Sequence, residues 1–299
     1  MSETHVGASP DAIEFHYDVG REFYALWLDP SLTYSCALWD GITGDESETD
    51  VLGAAQQAKL DLHLDQAGIG EGSRVLDVGC GWGSLLAAAS RRGASDLTGL
   101  TLSRDQLDTV RSRGLPGADI RLEHWQDHRP DRPYDAIVSI GAFEHFAHRG
   151  LSTKERIAAY GEFFARCHDW LPPNAKLSLQ TIAYDDAVDD EGPVASFFVS
   201  DVFPSSMLPR LSDIVAAADP WFSVSSFRED GDHYTRTLRA WSVRLQRVRT
   251  EAEKLVGAEG YAHYVRYLRV SQAMFRRRTS TLYRIAFRRR PAELALGRE

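Results

Sequence analysis

Cysteine is scarce in this chain of 299 residues, with three thiols at 36, 80 and 167. They form no C-x-x-C pair and make an odd set, which argues against a disulfide framework and against a zinc ribbon. Each reads first as a small buried apolar residue. Long apolar runs are missing as well: none approaches the ~20 residues that a membrane span needs. The opening MSETHVGASPDA has neither the basic start nor the apolar core of a secretory signal. The expectation is a soluble, cytoplasmic protein without stable membrane insertion. Positive charge is in deficit, with a net charge of −9, which speaks against general nucleic-acid binding. The deficit is uneven, because from Ser271 onward eight arginines face two glutamates, leaving +6 there and −15 on the rest. The basic stretch MFRRRTSTLYRIAFRRR reads as a solvated helix face before it reads as a phosphate or membrane contact.

What is present is ordinary globular composition, 43% apolar and 26% charged, arranged in alternating helix and strand signals. Residues 51–68 have helical apolar spacing and stop at Gly68. Strand-like runs cover 73–80, 96–103, 119–125, 134–141 and 175–182. Between them lie helical segments at 83–93 and 156–171, and one opening at Ser103, whose spacing to Gln106 is that of a capping box. Strand, helix, strand at this spacing predicts an α/β fold with a doubly wound, mostly parallel sheet and a ligand crevice at the carboxyl ends of its strands.

DVGCGWG places Gly79, Gly81 and Gly83 directly between a strand and a helix, with Asp77 just ahead of them. The spacing is not the G-x-G-x-x-G of a dinucleotide loop, and the second strand ends in GLTLS without the acidic residue expected ~20 positions on. A glycine loop with an acidic neighbour and no phosphate-binding lysine suits a cationic, phosphate-free nucleoside, namely S-adenosylmethionine. A second candidate lies beyond the fourth strand, where SIGAFEHF sets Glu144 and His145 between Phe143 and Phe146. A carboxylate there is expensive to bury without a partner or a purpose.

Five ordered stretches carry a resemblance: HYDVGREFYALWLDPSLTYSCALWDG (16–41), VLDVGCGWGSLL (75–86), GLTLSRDQL (99–107), IVSIGAFEHF (137–146) and HYTRTLRAW (233–241). Together with YLRVSQAMFR (267–276) they resemble the cyclopropane fatty acid synthases and mycolic acid cyclopropane synthases over residues 12–280. The wider group includes carbon methyltransferases of prenyl and specialised metabolites and some plant alkaloid N-methyltransferases. The resemblance implies a class I, Rossmann-like methyltransferase fold in three parts. Residues 1–70 would form a helical cap over the cofactor and acceptor, 71–182 the cofactor-binding core, and 183–299 a helical lid insertion, the remaining strands and a basic C-terminal helix. It further implies that Tyr34 and Ser35 fold over S-adenosylmethionine and that Asp77, Gly79, Gly81 and Gly83 pass its methionine part. Thr101, Leu102, Ser103 and Gln106 would lie near the ribose and adenine, and Trp125 and Gln126 would contact the adenine.

In cyclopropane synthases a bicarbonate ion beside the transferring methyl acts as the base. By matching motif its holders here would be Cys36, Ile140 through its backbone, Glu144 and Tyr234, with His145 in support. A further holder is a histidine on the fifth strand, and this chain has Gln180 instead. Glutamine cannot carry positive charge or shuttle a proton, which puts bicarbonate binding in doubt. The segment after the fifth strand is also shorter than in members that act on long acyl chains, and it is acidic, with Asp185, Asp186, Asp189, Asp190 and Glu191. A compact acceptor fits that better than a long lipid. The expectation is methyl transfer to an alkene carbon of a compact hydrophobic molecule in specialised metabolism. Amine N-methylation and cyclopropane synthesis on an unsaturated acyl chain are the alternatives. Tyr17, Phe146, Phe203, Tyr267 and Phe275, with Tyr234, are the candidate aromatic walls of the acceptor pocket.

Overall fold

A computed structural model describes residues 19–185 and 207–291. Tyr17, Phe203 and the acidic run from Asp186 to Glu191 lie outside the described residues. Seven strands form one sheet in the order β3-β2-β1-β4-β5-β7-β6. They are β1 Arg74–Val78, β2 Asp96–Thr101, β3 Ala118–Leu122, β4 Ala136–Ile140, β5 Lys176–Tyr184, β6 Phe222–Glu229 and β7 Ser280–Arg289. The first five run parallel, and β7 lies antiparallel between β5 and β6. β1 is buried at every position, and β4 at all but its last, as expected of strands covered on both faces by helices.

Helices α1 Arg21–Trp27 and α2 Thr49–Ala67 precede the sheet. Within the core follow α3 Ser84–Arg91, α4 Arg104–Ser112 and α5 Thr153–Trp170, and then α6 Leu211–Ala218, α7 Gly231–Arg247 and α8 Arg249–Arg276. Ser103 caps α4 as its spacing predicts, its Oγ accepting from Gln106 N at 3.3 Å. The Gln106 side chain does not close the box, because its Oε1 accepts instead from Thr101 Oγ1 at 2.6 Å. α8 is kinked at Gly257, where φ is 74°. No helix of the described residues is long and apolar enough to cross a membrane.

The basic end of the chain departs from the helix-face reading. α8 stops at Arg276, Arg278 takes a left-handed turn, and Ser280–Arg289 becomes a strand inserted between two others. Arg276, Arg277 and Arg278 are exposed, but Arg284 is fully buried. The arginine run thus divides between solvent and core, because β7 is buried continuously from Ser280 to Phe287 once it is inserted between two strands, and Arg284 is buried with it.

α1 and the following segment pack against α7 and α8 through an aromatic cluster that includes Phe23, Tyr24, Trp27, Trp241 and Tyr264. Trp27 and Trp241 meet edge to face at 5.9 Å, and the Tyr24 and Tyr264 hydroxyls share a hydrogen bond of 3.0 Å. This cluster fixes the loop 32–37 over the carboxyl ends of the strands. Below it, α2 buries Leu52, Ala55, Gln56, Lys59, Leu60, His63, Leu64 and Ala67, one stripe at helical spacing that contains three polar residues.

Candidate active site

The strand ends open into a cleft of about 1050 Å³, its mouth included, lined by the β1–α3 loop, the end of β2, residues 123–125 after β3 and the end of β4. Gly79 adopts φ 82°, and a side chain there would meet the Ala142 methyl at 2.6 Å. Gly81 also has a positive φ, of 53°, but a side chain there would enter open space. The first glycine lets the loop pass the β4 end, and the second leaves bare backbone at the cleft. Gly83 packs on Val110 and does not line the cleft.

Tyr34, Ser35, Asp77, Thr101, Leu102, Gln106, Trp125, Ile140, His145 and Phe146 line the cleft together with Gly79 and Gly81. Ser103 stays behind as the cap of α4. Gln126 also lies outside the lining, its Nε2 donating to Glu162 Oε2 at 2.8 Å. Lys59, Trp82, Glu123 and His124 are lining residues that the motifs did not single out. Lys59 had a legible signal, a lysine inside the apolar stripe of a helix; Glu123 and His124 had none beyond adjacency to Trp125. Burial lifts the Asp77 carboxyl to about 7, against the lowering influence of Lys59. It depresses the Lys59 ammonium to about 7, with Arg284 acting in the same direction.

A second compartment of about 430 Å³, open space included, meets the cleft at His145. Glu144, Ile182, Leu208, Tyr234, Leu238, Tyr267, Ser271, Phe275 and Ser280 complete its described walls. Glu144 stands on a single 3-10 turn, Phe143–His145, which the chain makes directly after β4. Its Oε2 accepts from Thr181 Oγ1 on β5 at 3.0 Å. Burial raises its carboxyl to about 7, although backbone hydrogen bonds and Thr181 work the other way. Burial also holds the His145 imidazole neutral, down at about 4. Tyr234 and Phe275 stack obliquely at 4.5 Å, giving the compartment an aromatic wall.

Gln180 and Cys36 line neither space; both are gathered around Arg284. Gln180 Oε1 accepts from Arg284 Nε at 2.8 Å and from His63 Nε2 at 3.3 Å. Arg284 Nη2 donates to the carbonyls of Cys36 and Ala37, each at 3.1 Å, and Nη1 pairs with Asp230. Burial pushes the Cys36 thiol up to about 11, so it is no thiolate. Burial and the nearby guanidinium keep His63 neutral, and its two ring nitrogens lie 2.8 Å from Ser178 Oγ and 3.3 Å from Gln180 Oε1.

A parallel sheet with an antiparallel β7 inserted between β5 and β6, a glycine loop at the β1 end and a tryptophan beside the β3 end define an S-adenosylmethionine-dependent methyltransferase of the class I, Rossmann-like fold. The residues fit the cofactor. Gly81 leaves room for it, buried groups of both signs stand at the β1 side, and the Trp125 indole nitrogen is buried without a hydrogen-bond partner among the described residues. Comparison narrows the class. The family model of mycolic acid cyclopropane synthetase matches residues 6–285, and the chain belongs to that family. It is 35% identical to cyclopropane mycolic acid synthase 2 of Mycobacterium leprae over 93% of this chain and 96% of that one. Identity to cyclopropane mycolic acid synthase 1 of Mycobacterium tuberculosis is also 35%, over 88% and 92%. The crystal structure of mycolic acid cyclopropane synthase CmaA1 complexed with SAH and CTAB superposes with a TM-score of 0.82 at 33% identity, covering 94% of this chain and 99% of that one. Coclaurine N-methyltransferase bound to N-methylheliamine and SAH follows at 0.70 and 25%, covering 89% and 80%. The chain is an enzyme of the EC 2.1.1 type, with S-adenosylmethionine as its methyl donor.

Proposed function

We propose that the enzyme methylates an alkene carbon of a compact hydrophobic molecule of specialised metabolism, with Glu144 receiving the proton that is then released. The observation that carries this reading is a single buried carboxyl near neutrality, facing a small compartment whose other described walls are aliphatic, aromatic or hydroxyl-bearing apart from the neutral imidazole of His145.

The bound donor supplies an electrophilic methyl on a sulfonium, so the protein's work is alignment in a dry pocket. When an alkene takes that methyl, positive charge appears on the adjoining acceptor carbon. The rings of Tyr234, Tyr267 and Phe275 can stabilise it, by ~0.5–2 kcal/mol per well-placed ring. Glu144 at about 7 is ionised in a large fraction of molecules at neutral pH and can accept the proton lost from a neighbouring carbon, leaving a methylated alkene. Loss of a proton from the new methyl would instead close a cyclopropane, the reading favoured by 35% identity to cyclopropane mycolic acid synthases. In an amine methylation, for which the likeness to coclaurine N-methyltransferase speaks, Glu144 would hold the nitrogen. Bicarbonate is not part of the proposed mechanism, because the Gln180 oxygen is committed to Arg284 and His63 and the side chain carries no charge.

The test uses methyl-deuterated donor with candidate alkenes and amines and weighs the product by mass spectrometry. Retention of all three deuteriums on an alkene product supports the proposal. Loss of one supports ring closure in its place, and a labelled amine establishes N-methylation.

A further inference from the structure

Lys59 is an unusual residue for its position. It occupies the buried stripe of α2 with 1% of its surface exposed, and yet it lines the cofactor cleft. Its one hydrogen bond among the described residues runs from Nζ to Ser35 Oγ at 2.9 Å. An ammonium has three donors, so two remain for other partners. No carboxylate of the described residues forms an ion pair with it within 4.0 Å. Asp29 and Asp77 act on it from farther off, and the Asp29 carboxylate is already engaged by Ser31 and Thr33. A buried cation without an ion-pair partner is costly, and removing such a charge ordinarily does not harm a fold. A structural role therefore does not explain it.

Its place in the cleft indicates what does. α2 packs across β4 and β5, which sets Lys59 on the β1–β4 side of the glycine loop, with Ser35 bonded to it and Asp77 farther off. The nucleoside-binding side, with Thr101, Gln106 and Trp125, lies at the β2 end, the start of α4 and the loop after β3. We infer that Lys59 is a cofactor-binding residue that takes the α-carboxylate of the methionine end, with Ser35 holding the ammonium in position. The inference rests on the methyl-donor assignment and is independent of the acceptor.

Calorimetric titration tests it with two probes, S-adenosylhomocysteine and 5′-methylthioadenosine, the second lacking the amino-acid tail. Wild-type binding of S-adenosylhomocysteine is the control for the donor assignment itself. Lys59→Met is expected to bind S-adenosylhomocysteine about 10- to 100-fold more weakly and to leave methylthioadenosine unchanged within about 2-fold. The unliganded variant should melt no lower than wild type. Unchanged S-adenosylhomocysteine affinity, or an equal loss for both probes in a variant that melts no lower than wild type, overturns the inference. Lys59→Gln, which retains a donor toward Ser35, repeats the comparison if methionine disturbs the cap; an unselective loss there also overturns it.

Discussion

Gln180 and Arg284 face each other across β5 and β7, and the guanidinium fixes which end of the amide points where. Arg284 can only donate, so the Gln180 oxygen is turned toward it and only the NH2 end is left to serve another group. That arrangement supplies no positive charge from position 180. Added bicarbonate is accordingly expected to change kcat by less than about 2-fold, measured in carbonate-depleted buffer, because a neutral amide replaces a group that could be an imidazolium. Strong stimulation would contradict this.

Glu144→Gln keeps the shape and the Thr181 contact but cannot take a proton. The expected loss in kcat is ~10²–10⁴-fold, the ordinary share of a general base. Affinity for S-adenosylhomocysteine should stay within about 2-fold, since Glu144 lies in the second compartment and not in the cofactor cleft.

Turnover and stability respond to pH with opposite signs. Turnover should rise as pH passes through about 7, when the buried Glu144 carboxyl ionises. Stability should move the opposite way. Between about 4.5 and 7 the folded state holds a proton that the unfolded chain has lost, so stability falls as pH rises and then levels off. Asp77 contributes with the same sign. Relative to wild type, Glu144→Gln should gain up to about 3 kcal/mol more at pH 8 than at pH 4.5, read from denaturant unfolding.

Arg284→Met leaves Asp230, Gln180 and two loop carbonyls without their shared donor. Breaking a buried pair from one side costs about 3–5 kcal/mol, and Arg228, which also pairs with Asp230, offsets a part. A clear drop in the urea midpoint is expected, together with weaker donor binding as the 32–37 loop loosens.

Tyr234→Leu removes a ring from the acceptor wall. A kcat reduction of roughly 2- to 30-fold is expected from loss of one ring beside a developing cation. Tyr234→Phe should lose much less, and an equal loss in the two variants would assign the effect to the hydroxyl.

Much of this was legible beforehand because its causes are local. The β1–α3 glycine loop and the Ser103 cap depend on neighbours within a few residues, and the five parallel strands follow from apolar runs punctuated by glycine. The placement of Gln180 was not, since the groups that claim its oxygen come from positions 63 and 284. Neither was β7. Its arginine-rich sequence reads as a solvated face until pairing with β5 and β6 puts Arg284 inside. Gln126 shows the limit of motif matching, since its neighbour Trp125 lines the cleft while its own amide turns to α5.

The His63–Gln180 contact joins residues 117 positions apart and makes them one unit of change. An imidazole placed at 180 in this background would meet another imidazole and a guanidinium within hydrogen-bonding reach, and single replacement at either position leaves its partner mismatched. Placing an imidazole at 180 on this scaffold therefore means changing position 63 at the same time, and a library that varies only the pocket walls would never sample the combination.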